Sequence, residues 1–98
     1  MSYHTSNMTT TVEEIKSTFQ IEKDIKDLKV FFRFEELKSQ RNSMTMKVIA
    51  TLRKEFDIHS DKTIYKIRSR VEANLSQLLA DYPQFKGDYL KWKNRQTP

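Results

Sequence analysis

The side chains best equipped for chemistry in this 98-residue chain are His4, His59, two adjacent carboxylate pairs and a run of cations from Lys62 to Arg70. Neither histidine has a ligand partner at a metal-site spacing. Neighbouring residues on a helix point about 100° apart, so Glu13–Glu14 and Glu35–Glu36 do not converge as an acid and a base. Cysteine is absent, the single glycine (Gly87) rules out a glycine-rich phosphate loop, and no serine has a plausible base. The expectation is a protein that is not an enzyme, with no cofactor, no metal and no evident small-molecule substrate.

What remains is charge. Residues 1–40 hold six Lys/Arg against seven Asp/Glu, a net −1, whereas residues 41–98 hold twelve against six, a net +6, so the surplus behind the overall +5 resides in the second part. Between Lys62 and Arg70 stand four cations and no acid. Such a stretch attracts phosphates whatever their sequence, and Lys or Arg in a major groove can donate to guanine acceptors. Thr and Tyr can meet thymine methyls or phosphates. Rotation at about 100° per residue from Ile64 puts Lys62, Lys66 and Ser69 near the outer pole, flanked by Tyr65 and Arg70, with Thr63 toward the helix start. These six are the expected groove-facing residues, and Arg41, Arg53 and Lys54 the expected phosphate contacts. Lys66→Ala with Arg70→Ala is expected to abolish DNA binding without unfolding the domain.

Helices must position this face. With one Gly and two Pro, the chain has too little turn punctuation for hairpins, and an all-α fold of about four or five helices is expected. Residues 1–10 read as a mobile polar tail. Thr11 and Glu14 have capping-box spacing ahead of Val12, Ile15 and Phe19, and a second register follows in Ile21, Ile25, Leu28 and Phe32. The offset implies a break near Phe19–Gln20 or a helix buried on two sides. Val30-Phe31-Phe32-Arg33-Phe34 would suit a strand, but Glu35, Glu36 and Leu37 continue the helical period, and no partner strand is evident. Ser43 is the expected N-cap of the next helix, about 44–56, with the stripe Met46, Ile49, Leu52 and Phe56. Ser60, followed by Asp61, caps a third helix, about 61–82, carrying Ile64, Ile67, Val71, Leu75 and Leu78. Asp81-Tyr82-Pro83 ends it, and residues 83–98 form an aromatic, basic C-terminal segment around Phe85, Tyr89 and Trp92. Residues 11–82 are thus the expected domain.

Residues 44–70 therefore read as helix, turn and helix, with Ile58 the one apolar residue plugging the corner. The string EFDIHSDKTIYKI resembles the turn and recognition helix of trihelical, homeodomain-like helix-turn-helix domains, and RFEELKSQ with MKVIATL resembles the layout of small helix-turn-helix proteins of bacterial mobile elements and phages. The resemblance covers roughly Phe32 to Arg70. It implies turn-packing roles for Phe56 and Ile58 and groove-facing roles for Thr63, Tyr65 and Lys66. The expected function is binding of double-stranded DNA, for regulation or for assembly on DNA. A module this small buries little surface, so a homodimer is expected, self-associating through the N-terminal segment or through Leu75 to Leu79. The sequence departs from the pattern at Asp57, where glycine is favoured, and the stretch from Ile58 to Thr63 is one residue longer than usual. The groove-facing register is thereby fixed only to within one position.

Two other readings stand beside this one. A helical bundle that binds a protein would also bury the stripe 64, 67, 71, 75 and 78 and leave a solvated basic face. Alternatively, Phe85, Tyr89 and Trp92 with Lys91 and Lys93 would stack and clamp unpaired bases of RNA or single-stranded DNA. No apolar run approaches the roughly 20 residues that cross a bilayer, and residues 1–10 lack the pattern of a signal peptide, so a cytoplasmic location is expected.

Overall fold

The computed structural model describes residues 17–96, which are all-α with no strand among them. The five helices are α1 (Thr18–Lys38), α2 (Thr45–Phe56), α3 (Asp61–Ala73), α4 (Leu75–Asp81) and α5 (Lys86–Gln96), with a 3-10 turn over Pro83–Phe85. None of the described helices is long and apolar enough to cross a membrane. The expected capping box at Thr11 and Glu14, with Val12 and Ile15, lies outside the described residues.

Helix α1 begins where Ser17 Oγ accepts from the Gln20 amide at 3.1 Å. It runs unbroken past Phe19–Gln20, so the offset registers reflect burial on more than one side, not a break. Leu28, Val30, Phe31, Phe32 and Phe34 are all buried because α2, α3 and α5 each pack on a different face of α1. The strand-like Val30–Phe34 run is therefore the centre of the core. Phe31 meets Phe32 edge-on at 5.2 Å between centroids, an arrangement favoured by the ring quadrupoles.

Two expectations for α2 are corrected. Ser43 does not cap it; its hydroxyl donates to the Lys38 carbonyl at 2.8 Å, closing the end of α1, and Met44 takes the N-cap position without a side-chain bond. Met46 is 81% exposed, and Val48 joins Ile49 and Leu52 in the core instead. At 100° per residue Met46 stands about a third of a turn from the axis of that stripe. Arg33 fixes α1 to α2 through paired bonds to Glu55, Nε to Oε1 at 3.1 Å and Nη2 to Oε2 at 3.0 Å. The guanidinium holds the Glu55 carboxyl below the usual carboxylate range.

Helix α2 stops at Asp57, whose left-handed backbone (φ 54°, ψ 51°) lets the Ile58 amide donate to the Arg53 carbonyl at 2.9 Å. This is the closing bond of a Schellman-type cap. A β-carbon makes that conformation unfavourable, and aspartate escapes the penalty only in part. Asp57→Gly is expected to stabilise the chain by up to about 1 kcal/mol, with Tm rising by up to roughly 4–8 °C, measured by thermal unfolding. An unchanged or lower Tm would show that the aspartate is already relaxed there.

The expected 61–82 helix is two helices. Asn74 interrupts it (φ −118°, ψ 19°), and its side-chain amide donates to the Arg70 carbonyl at 2.8 Å. Asparagine competes for backbone groups in this way and so favours helix ends over interiors. The change of direction carries Leu78, Tyr82 and Phe85 back onto the core. Phe85 stacks on Phe32 with centroids 6.3 Å apart, and Trp92 of α5 meets Phe31 edge-on at 5.7 Å while its Nε1 donates to Glu35 at 2.9 Å. The C-terminal aromatics are thus docked on α1.

Candidate nucleic-acid interface

Helices α2 and α3 meet at a corner of four residues, 57–60. Ile58 fills it and is buried. Ser60 caps α3, its Oγ accepting from the Thr63 amide at 3.2 Å, and Asp61 sits in the first turn where the helix dipole favours a negative charge. Arg53 locks the corner from outside. Its guanidinium donates to the carbonyls of His59 (2.6 Å) and Ile58 (3.3 Å) and to Asp61 Oδ1 (3.2 Å). The residue expected to meet a phosphate is therefore a clamp on its own turn, a role no sequence pattern signals.

Ile64, Ile67 and Val71 bury one side of α3 against α1 and α2. Lys62, Tyr65, Lys66 and Ser69 stand together on the opposite, exposed side, as the rotation from Ile64 predicts. Thr63 is exposed too but lies at the lip of a groove beside α1, lined also by Phe19, Lys23, Lys26, Ile58 and Ile67. Lys54 is exposed in the last turn of α2. Arg41 is exposed in the loop before α2, at the far end of that helix from the turn.

Arg70 does not join this face. Its guanidinium turns back onto α1, with Nη2 on Asp24 Oδ1 at 2.5 Å and Nη1 on Asp27 Oδ2 at 2.8 Å. Asp24 and Asp27 are only 1% and 3% exposed. Asp24 also accepts from Tyr82 Oη (2.7 Å) and Gln20 Nε2 (2.8 Å), and Asp27 from Lys23 Nζ (3.0 Å). The hydrogen bond to Asp24 raises Arg70 above the ordinary arginine range despite desolvation, and charge on Asp24 and Asp27 adds to it. Arg70 is thus a structural tie, and its removal is not separable from stability.

Arg68 is diverted likewise. It lies over the Phe34 ring at 4.1 Å and donates to Glu35 Oε2 at 2.7 Å. Two of the four cations between Lys62 and Arg70 therefore face inward, and the outward charge is carried by lysines. The burial of Asp24 was open to discovery in the sequence. Asp24 lies seven residues before Phe31, on the same face of α1, so a carboxylate there had to enter the core and find a cation.

The chain matches no protein-family model, no curated protein and no solved structure.

Proposed function

We propose that the chain binds double-stranded DNA by laying the outer face of α3 in the major groove, in a regulatory or DNA-assembly role. One observation carries the reading: Lys62, Tyr65, Lys66 and Ser69 stand exposed on one side of the second helix of a tightly closed helix-turn-helix. The face offers no Arg, Asn or Gln, the side chains that grip a base edge with two bonds. Affinity would come mainly from lysine–phosphate contacts, including Lys54, with Tyr65 and Thr63 giving modest preference through thymine methyls.

One module of this size binds weakly alone, so self-association would supply a second half-site. Leu78 is in the core and Leu75 and Leu79 are partly buried against it, which leaves less of Leu75 to Leu79 free for such a contact. Phe19, 76% exposed on α1, is the better candidate.

The single-strand reading has less support, since Phe85 is buried and Trp92 is held by Phe31 and Glu35. Duplex binding is tested by fluorescence anisotropy between 50 and 200 mM salt. Engagement of three lysines predicts a slope of about −3 in log affinity against log salt. No binding at low salt, or a slope near zero, would defeat the reading.

A further inference from the structure

On the side of α1 turned away from α3 lies a second feature that the duplex reading does not use. A cleft of about 270 Å³ opens between α1, the end of α2 and α5, lined by Lys29, Phe32, Phe56, Phe85, Lys91 and Arg95. Its place follows from helical geometry. Asp24, Asp27, Phe31 and Glu35 hold α3 and Trp92, whereas Lys29, Phe32, Arg33 and Glu36 recur at i, i+3, i+4 and i+7. Lys29 and Glu36 fall about 150° round the axis from Phe31.

The chemistry of the cleft is specific. The floor is aromatic, with Phe32 and Phe85 stacked and Phe56 half-buried beside them. The rim is mainly cationic: Arg33 is held by Glu55 and Glu36, but Lys29, Lys91 and Arg95 make no ion pair or hydrogen bond among the described residues. Lys91 and Arg95 are one turn apart on α5 and line the cleft together with Lys29. Apolar floor and unpaired positive rim call for a ligand that is apolar at one point and negative around it.

We propose that this cleft docks an acidic amphipathic peptide segment of a partner protein. One apolar side chain enters between Phe32, Phe56 and Phe85, and flanking carboxylates reach Lys29, Lys91 and Arg95. This is helix-in-groove recognition with the charges set for an acidic ligand. Single-stranded nucleic acid fits less well. Base stacking needs open ring faces, and Phe32 and Phe85 are only 6% and 7% exposed. Glu36 and Asp88 also lie on the rim, Glu36 paired with Arg33, so the four cations there outnumber the two acids. The proposal does not depend on duplex binding, because the two faces lie on opposite sides of α1.

The test uses the full chain, 15N-labelled, and a synthetic 14-residue peptide with one central Phe flanked by glutamates. Amide shifts are expected at Lys29, Phe32, Phe85, Lys91 and Arg95. Replacing the central Phe by Ser, or the glutamates by lysines, should weaken binding at least tenfold. Lys91→Glu with Arg95→Glu should do the same while the helical circular dichroism is unchanged. The proposal is overturned if the double variant binds the peptide as well as the parent, or if the shifts fall on another face. Tighter binding of an oligothymidine at these residues, or concentration-dependent shifts there without peptide, would assign the cleft to nucleic acid or to a second copy and overturn it equally.

Discussion

Arg70→Ala will cost this chain about 3 kcal/mol of stability, more than any other exposed or half-exposed substitution on α3. The reason is the company Arg70 keeps. Asp24 and Asp27 are buried carboxylates, one helical turn apart, and Arg70 bridges them with separate nitrogens. Without it Asp27 retains Lys23, and Asp24 retains the neutral donors Tyr82 and Gln20. Removing one partner of a buried pair typically costs 3–5 kcal/mol, roughly, because the other charge stays behind. Arg70 is itself about a third exposed, and Lys23 persists, which brings the figure to the lower end. Urea denaturation measures it, and at roughly 4–8 °C per kcal/mol the thermal midpoint should fall by more than 10 °C. Arg70→Lys should recover only part of the loss, since a point charge cannot span both carboxylates. Adding Asp24→Asn and Asp27→Asn to Arg70→Ala should recover more, because the penalty is that of unpaired charge. A loss below about 1 kcal/mol for Arg70→Ala would mean that water already solvates the two aspartates.

Lys62→Ala with Lys66→Ala should do the opposite: leave stability alone and remove duplex affinity. Both side chains are exposed and neither makes an ion pair or hydrogen bond within the described residues. Surface changes of that kind shift unfolding free energy by about 0.5 kcal/mol or less. Each lysine set against a phosphate contributes close to one unit of salt slope, so the slope should shrink by about 2 and affinity at low salt should fall at least roughly tenfold. The loss should be nearly equal on unrelated duplex sequences, because phosphates carry no sequence information. A loss confined to one sequence would make these lysines base readers, and an unchanged slope would remove α3 from the interface.

The pair of substitutions shows what could and could not be read from residue order. Ile64, Ile67 and Val71 announced their buried side through periodicity, and Lys62, Lys66 and Ser69 followed as its complement. Ile58 and Ser60 were legible for the same local reason, as was the left-handed residue at Asp57. Arg70 was not. Its position, two-thirds of the way round from the core, is equally consistent with facing solvent or a neighbour, and only the rotation of α1 decides. Asn74 ended α3 through its own side chain, but an apolar period continuing through Leu75 and Leu78 concealed the change of axis. Met46 and Val48 exchanged roles because a stripe of four residues does not fix the rotation of a short helix to better than one position.

Trp92 has a consequence of its own. It is the chain's single tryptophan, and it sits at the seam where α5 closes on α1, its ring against Phe31 and its nitrogen on Glu35. Its fluorescence therefore follows one event, the seating of α5, as distinct from the melting of helix as a whole that circular dichroism records. Coincidence or separation of the two signals during unfolding tells whether the chain's final turns belong to the same cooperative unit as its centre.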